Sequence, residues 1–198
     1  GGSGKDTLVL GDTALTADLT SAVNGVKNFE TLGFNGASAT VDVSQVTAFT
    51  DYLFSTLGNI AVTNATSKNT LTLDTSAATT SLANKLGDTV SNLTLSGTGI
   101  STGGLTLTGI QTVNLNSTAT APNQAVSNVF GAGAVFTANP DNMKIVVTGN
   151  QALTINRQNA ISTGTTIDAT AFTGNLTASG TTLVDSLTGG SGNDVLTG

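Results

Sequence analysis

Gly189-Gly190-Ser191-Gly192-Asn193-Asp194-Val195-Leu196-Thr197 lies near the end of the chain, and Gly1-Gly2-Ser3-Gly4-Lys5-Asp6-Thr7-Leu8-Val9 opens it. Both nonapeptides fit the pattern G-G-x-G-x-D-x-U-x, in which U is a large apolar residue. The glycines predict a turn with positive φ that directs carbonyl oxygens inward, and the Asp adds a charged oxygen. Because oxygen ligands favour a hard cation, the pattern predicts a calcium-binding turn whose apolar residue enters a small core.

The register of the copies gives the candidate metal-binding residues: Gly1, Gly2, Gly4, Asp6, Asp185, Gly189, Gly190, Gly192, Asn193 and Asp194. Asp185 belongs to a third, degenerate copy, Gly180 to Thr188, which keeps the first Gly, the Asp and the apolar position. The alternative is a pair of flexible Gly/Ser linkers, but linkers do not place Asp and Leu at fixed positions.

Composition narrows the fold and the function. The 198 residues are 38% hydrophobic but only 4% aromatic, which favours the thin, layered core of a solenoid. A net charge of -6 predicts no nucleic-acid partner. Cys and His are absent and Glu30 is the only Glu, so disulfides and the usual catalytic constellations are excluded and we predict no enzyme activity. No apolar run approaches the roughly 18 residues of a membrane span.

Short alternating runs rich in β-branched residues predict nine strands: Leu8 to Leu10, Thr40 to Val43, Thr70 to Leu73, Asn92 to Leu95, Leu105 to Thr108, Val113 to Leu115, Lys144 to Val147, Leu153 to Ile155 and Leu176 to Ala178. Similar phrases recur without a fixed period, so we expect coils of different lengths. The predicted fold is all-β, a β-solenoid or β-roll-like stack with irregular coils and a few short helices. A β-sandwich-like stack with insertions is the other arrangement that the pattern allows.

The predicted organisation has three parts: an N-terminal calcium turn (1–18), an irregular β-solenoid domain (19–179) and C-terminal calcium turns (180–198). Apolar residues at helical spacing predict helical insertions near 44–57 and 76–86, and a weaker one at 124–130. We expect these helices to cover ends or bends of the solenoid. Segment 44–57 is alternatively a longer loop.

The nonapeptides at both ends resemble those of RTX (repeats-in-toxin) proteins, bacterial products exported by type I secretion. Phrases such as GVKNFETL from Gly25, GIQTVNL from Gly109 and TIDATAF from Thr166 are similar to those of the surface-layer branch of these proteins, whose subunits tile the outer face of Gram-negative bacteria. The resemblance implies a calcium-stabilised structural module at the extracellular bacterial surface. It also implies self-association through calcium into a lattice or oligomer, and a cell-surface glycan or lipopolysaccharide partner contacted via the parent chain.

The resemblance also allows a binding or stability module of an RTX adhesin or exported enzyme. In RTX β-rolls, calcium lies between turns that are two nonapeptides apart. Counting that distance back from Asp194 gives Leu176, whose side chain is no ligand, and counting on from Asp6 gives Asn24. Each end is therefore predicted to be a half-site, completed by adjoining sequence, an insertion or a neighbouring subunit. Extra oxygens are expected from Asp12, Asp18 and Asp185.

Other acidic residues have two interpretations. Asp42, Asp74 and Asp168 each follow an apolar residue, and they are either calcium or turn ligands at solenoid corners or acceptors for local backbone N–H groups in Asx-turns. For Asp51, Asp88 and Asp141, a cap or turn role is expected in place of metal binding. The threonines of Thr70 to Thr72, Thr94 to Ser96 and Thr106 to Thr108 form either a regular ligand-binding face or ordinary solvent-facing strand positions.

Overall fold

The computed structural model describes residues 2–11, 14–131, 143–156 and 164–198. In chain order the elements are β1 (Thr7–Leu10), α1 (Ala17–Gly25), β2 (Thr31–Phe34), β3 (Ala39–Asp42), a 3₁₀ turn (Val43–Gln45), β4 (Asp51–Phe54), β5 (Asn59–Ala65), β6 (Thr70–Leu73), β7 (Thr79–Asn84), β8 (Val90–Ser96), β9 (Gly104–Thr108), β10 (Thr112–Thr118), β11 (Asn128–Phe130), β12 (Lys144–Gly149), β13 (Leu153–Ile155), β14 (Thr166–Phe172), β15 (Leu176–Ser179), β16 (Ser186–Thr188) and β17 (Val195–Thr197).

These strands form a parallel β-solenoid of about eight turns, which confirms the predicted fold class. Sheet A has nine strands in the order β1-β2-β4-β6-β8-β10-β12-β14-β16. Sheet B contains β3-β5-β7-β9 and sheet C contains β11-β13-β15-β17. From β2 onward the chain alternates between sheet A and one of the other two sheets. Ser101, which precedes β9 of sheet B, forms an isolated bridge to Val129 of β11 in sheet C. In the first coil, Ala14 forms an isolated bridge to Thr40 of β3 in place of a second strand, and helix α1 follows it.

The coils differ in length, as the irregular spacing of the strand phrases predicts. Residues in register on neighbouring strands are 24 positions apart between Thr7 and Thr31 and 32 apart between Thr112 and Lys144. The spacing falls to 18 between Thr177 and Val195 in the last coil. Irregular coils can stack because each strand needs only its immediate neighbours for its ladder hydrogen bonds.

Alternate residues of sheet A point inward and form in-register apolar columns. One such column contains Leu32, Tyr52, Leu71, Leu93 and Leu115, all of them at most 1% exposed. In the next column the rings of Phe34 and Phe54 stack with their centroids 5.4 Å apart. Each fully buried side chain of this kind contributes about 1.5–3 kcal/mol, so the thin core depends on repetition along the stack.

The three predicted helical insertions are wrong. Segment 44–57 contains the 3₁₀ turn and β4, segment 76–86 contains β7, and segment 124–130 ends in β11. The alternative of a simple longer loop for 44–57 is also wrong, because β4 pairs with strands on both sides. Hydrogen bonds to the parallel strands of neighbouring coils outweigh the helical spacing of the apolar residues. That spacing arises because each segment combines the apolar residues of one corner with those of one strand.

The one α-helix of the described residues lies elsewhere, at Ala17–Gly25. Thr16 caps it, because its Oγ1 accepts the Leu19 N–H at 3.3 Å, and Asp18 lies in the first turn, where it complements the helix dipole. Val23 is the buried residue of this helix. A Thr cap two residues before an Asp is the local signal in the sequence that marks this helix start.

Candidate calcium-binding turns

The complete C-terminal nonapeptide forms a turn around its own carboxylate. The Gly190 N–H donates to Oδ2 of Asp194 at 2.7 Å. The Leu176 N–H, in the preceding coil, donates to Oδ1 of Asp194 at 2.9 Å. A methyl group at Gly189 would overlap Oδ2 of Asp194, so the turn closes this tightly only with glycine there. Asp194 therefore joins its own turn to the coil before it.

The degenerate copy adopts the same arrangement around Asp185. The Thr181 N–H donates to Oδ2 of Asp185 at 2.5 Å, and the Thr165 N–H of the preceding coil donates to Oδ1 at 2.7 Å. The Thr181 hydroxyl lies 3.0 Å from Oδ1 and adds a further hydrogen bond. Gly180 abuts Asp185 as Gly189 abuts Asp194. The degenerate copy thus reproduces the carboxylate contacts of the complete copy.

The N-terminal copy shares part of this geometry. Oδ2 of Asp6 accepts the Gly2 N–H at 2.5 Å, which closes the turn. The Asp6 N–H donates to Oε2 of Glu30, in the following coil, at 2.8 Å. Glu30 had no predicted role. The predicted ligand Gly1 lies outside the described residues.

One contact recurs, and we call it the in-register acid contact: a carboxylate just before a strand accepts the N–H of the residue in register one coil earlier. It joins Asp6 to Glu30, Thr165 to Asp185 and Leu176 to Asp194. In each case the next residues along the chain are strand partners. Leu176 lies two nonapeptides before Asp194, and although its side chain is no ligand, its backbone makes the contact.

The glycines of the C-terminal turn allow close approach to backbone carbonyls of the preceding coil and do not adopt positive φ. This corrects the predicted backbone path of the turn. A side chain at Gly190 would overlap the carbonyl oxygen of Phe172, and one at Gly192 would overlap that of Gly174. Among the predicted glycine ligands that the structure describes, Gly4 alone has φ in the left-handed region, at 129°. The Asn193 N–H donates to Oδ1 of Asn175 at 2.9 Å and ties the same turn to the preceding coil.

Carboxylate and hydroxyl oxygens are the donor atoms that a hard cation prefers. Each of the Asp185 and Asp194 turns contains one carboxylate, and the Asp185 turn adds the Thr181 hydroxyl. A carboxylate oxygen that accepts one N–H retains a second lone pair for a metal. Among the described residues, no three acidic side chains are grouped closely enough to hold a metal by charge alone. A single charged ligand per turn corresponds to the weak, millimolar end of the calcium-binding range.

Asp42 and Asp168 form the expected Asx-turns. Oδ1 of Asp42 accepts the Ser44 N–H at 3.0 Å, and Oδ1 of Asp168 accepts the Thr170 N–H at 3.4 Å. Burial raises the pKa of Asp42, but hydrogen bonds from Ser44 and Asn64 outweigh burial and hold that pKa below its usual value. Hydrogen bonds from Thr170 likewise lower the pKa of Asp168. Asp42 also accepts a hydrogen bond from Asn64 and Asp168 pairs with Lys144, both in neighbouring coils, so these carboxylates serve structure within and between coils.

The other aspartates also have structural partners. The Ser67 N–H, in the preceding coil, donates to Asp88 at 2.8 Å and lowers the pKa of that carboxyl. Asp51 forms an ion pair with Lys5 at 2.6 Å, and Asp74 accepts the Ser55 hydroxyl at 2.9 Å. The remaining two, Asp12 and Asp141, lie outside the described residues.

The three threonine runs do not share one face. Thr72 and Thr94 are partners in sheet A, but Thr106 and Thr108 belong to sheet B. The outer face of sheet A instead mixes threonine with asparagine. Nδ2 of Asn114 donates to Oδ1 of its in-register neighbour Asn92 at 2.9 Å. This arrangement is typical of solvent-facing strand positions and does not form the regular array that the alternative requires.

The described residues contain no helix with the length and apolar character needed to cross a bilayer. Comparison with known proteins adds no identity to this geometry. No protein-family model matches the chain, and no curated protein or solved structure is significantly similar to it.

Proposed function

We propose that this chain is a calcium-stabilised structural module of an extracellular bacterial surface-layer protein exported by type I secretion. The observation that carries the proposal is the equivalence of Asp185 and Asp194. Two copies of the nonapeptide, one complete and one degenerate, place a carboxylate inside a glycine turn and against the preceding coil. Repetition of one carboxylate-containing turn in consecutive half-coils is the arrangement that a stack of calcium sites would need.

Calcium would act here as a clamp between coils. The hydrogen bonds of Asp194 already fix the carboxylate, so a cation would find one charged ligand in place and need only carbonyl oxygens from the turns. The net charge of -6 favours cations over other partners, and binding of calcium would offset repulsion within the acidic chain. Extracellular calcium modules bind at about 10⁻⁴ to 10⁻³ M, which suits one charge per turn.

Self-association through calcium into a lattice or oligomer is part of the proposal, as is contact with a surface glycan or lipopolysaccharide through the parent chain. Sites that lack a full set of ligands within one chain can be completed by a neighbouring subunit. Nothing in the composition supplies an acid–base pair with His or Cys, which is why we propose a structural role and no catalysis.

The test is calcium titration of the wild-type chain and of a double variant, Asp185→Asn with Asp194→Asn. We expect calorimetry to show millimolar-range binding that weakens at least about tenfold in the double variant, because two charged ligands are lost. Asp168→Asn is the matched control, since its carboxylate bonds, among the described residues, to Thr170 and Lys144. Wild-type protein that shows neither binding heat nor calcium-dependent hydrogen exchange in residues 180–198 would contradict the proposal.

A second candidate function is a binding module of an RTX adhesin or exported enzyme. A groove of about 190 Å³ on the outer face of sheet A favours it, with Leu53 as an apolar wall and the Lys5–Asp51 ion pair and Thr70 as polar groups. Such a mixed surface suits one sugar unit. Titration with surface oligosaccharides tests it, and binding that disappears in Leu53→Asp would favour this function over the structural one.

A further inference from the structure

The two C-terminal carboxylate turns differ in the side chains beside their carboxylates. At Asp185 both N–H donors belong to threonines, Thr165 in the preceding coil and Thr181 in the turn itself. At Asp194 the corresponding donors are a leucine and a glycine, neither of which carries a hydroxyl group. The two turns therefore share their backbone contacts and differ by two hydroxyl oxygens.

The Thr165 hydroxyl is buried without a hydrogen bond. Among the described residues, Oγ1 of Thr165 has no partner, and the residue is only 2% exposed. By contrast, the buried hydroxyl of Thr80 donates to the carbonyl oxygen of Thr102 at 2.7 Å. A buried hydroxyl without a partner is costly, and such a group in a native fold marks a place where a water molecule or an ion binds.

The strand register places Thr165 directly opposite Asp185. Thr166 pairs with Ser186 in sheet A, so the residues just before them are neighbours as well. The Thr165 N–H donates to Oδ1 of Asp185 at 2.7 Å, and the Thr165 carbonyl accepts the Ser186 N–H at 2.8 Å. Ile167, two residues further on, is fully buried, so strand alternation directs the Thr165 side chain to the same inner side.

The oxygens at this corner lie within the span of one calcium ion. Oγ1 of a threonine is at most about 4 Å from its own backbone nitrogen, and the Thr165 nitrogen is 2.7 Å from Oδ1 of Asp185. Oγ1 of Thr181 lies 3.0 Å from the same oxygen and 3.2 Å from Oδ2. Calcium binds oxygen at about 2.3–2.6 Å, so two ligands of one ion can be about 5 Å apart. An ion bound to the Asp185 carboxylate is therefore within reach of both hydroxyls.

We propose that Thr165 and Thr181 add two hydroxyl ligands to Asp185, so that calcium binds more tightly at the degenerate copy than at the complete one. The inference rests on the proposed function, because it assigns ligands and an order of affinity to two sites proposed there. Coordination of the Thr165 oxygen replaces no hydrogen bond, since that oxygen has no partner in the described chain. At Asp194 the equivalent side chain, Leu176, is fully buried and offers no oxygen.

Thr165→Val tests the inference, because it removes the hydroxyl and keeps the size of the side chain. The measurement is hydrogen exchange of the amides of residues 165 and 176 during calcium titration. In wild type, the amide of residue 165 should slow at lower calcium than that of residue 176. In Thr165→Val, the calcium midpoint for residue 165 should rise about tenfold, the low end for removal of a group that supports a metal site. The midpoint for residue 176 should not change.

The same variant has a second readout that does not involve calcium. In chelator, Thr165→Val should unfold at the same urea concentration as wild type or at a higher one, because the lost hydroxyl had no partner. Thr80→Val is the matched control, since it removes a buried hydroxyl that is hydrogen-bonded. It should unfold at lower urea with and without calcium, and leave both calcium midpoints unchanged.

The outcomes separate this inference from the calcium proposal. An unchanged midpoint for residue 165 in Thr165→Val would overturn the inference, since the hydroxyl would then hold only water. Earlier unfolding of that variant in chelator, or equal midpoints at the two amides in wild type, would also overturn it. If Asp185→Asn still raised the midpoint for residue 165 in any of these cases, the calcium proposal would stand without the threonine ligands. Absence of a calcium effect on both amides in wild type would contradict both.

Discussion

Removal of the Asp194 carboxylate should loosen the last coil even when no calcium is present. Asp194→Ala leaves the Leu176 and Gly190 N–H groups without the acceptor that lies 2.9 and 2.7 Å from them. A hydrogen bond to a charged group contributes about 1.5–3 kcal/mol, and the low end applies to a half-exposed turn. Two such bonds, partly replaced by water, give about 1.5–3 kcal/mol for opening of this coil.

Hydrogen exchange measured in chelator is the assay. A tenfold change in an opening equilibrium corresponds to about 1.4 kcal/mol, so the Leu176 amide should exchange roughly 10- to 100-fold faster in Asp194→Ala. The exchange rate of the Leu176 amide in Asp194→Asn should lie between the rates in Asp194→Ala and in wild type, because the Asn side-chain oxygen keeps one acceptor. Asp18→Ala, at the start of α1, is the control and should leave Leu176 unchanged.

The reasoning is refuted if the Leu176 amide exchanges at the wild-type rate in Asp194→Ala. In that case the carboxylate would have no structural role between coils, and any effect of the variant would have to come from metal binding. Addition of millimolar calcium then provides a second comparison. A further slowing of Leu176 exchange on addition of calcium, seen in wild type and absent in Asp194→Ala, would show that metal and hydrogen bonds act on the same coil.

Three other outcomes concern the core, the glycine contacts and the titrating carboxylates. Phe54→Ala should lower the free energy of unfolding by about 3–5 kcal/mol in urea titrations, because it leaves a cavity beside a stacked ring. Gly190→Ala should destabilise the last coil in hydrogen exchange because its methyl group would overlap a backbone carbonyl, whereas Gly2→Ala, with nothing within 4 Å, should not. Asp42 and Asp88 have lowered pKa values in the folded chain, so their stabilisation is complete above about pH 5 and is lost as the pH falls below about 4, which urea titrations at several pH values can check.

Nine of the 17 strands in the described residues were predictable, because they rest on local alternation. All nine predicted runs overlap strands, and the run from Thr40 ends one residue late, since Val43 begins the 3₁₀ turn. Strands β4 and β7 were missed because their apolar residues combine with those of neighbouring corners to imitate helical spacing. Only the ladders to adjacent coils resolve that ambiguity, and the sequence of one coil does not contain them.

The positions of the candidate-site residues could be predicted from the sequence, but their hydrogen-bond partners could not. The positions of Asp185 and Asp194 follow from the nonapeptide register, and the structure places both in equivalent turns. Their partners are backbone N–H groups of Thr165 and Leu176, which no side-chain pattern can reveal. The requirement for glycine at position 190 was also not predictable, because it arises from a backbone carbonyl of another coil.

The two ends carry the same nonapeptide but differ in the coils around it, and this difference bears on where calcium should act. Near the C-terminus the coils span 20 residues between Thr166 and Ser186 and 18 between Thr177 and Val195, so turns of nonapeptide spacing succeed one another. The first coil spans 24 residues and contains α1 after the Ala14 bridge to β3. Two turns with equivalent carboxylate contacts therefore succeed one another near the C-terminus. We accordingly expect the calcium response of this chain to be larger in residues 180–198 than in residues 2–10, which hydrogen exchange with and without calcium can check.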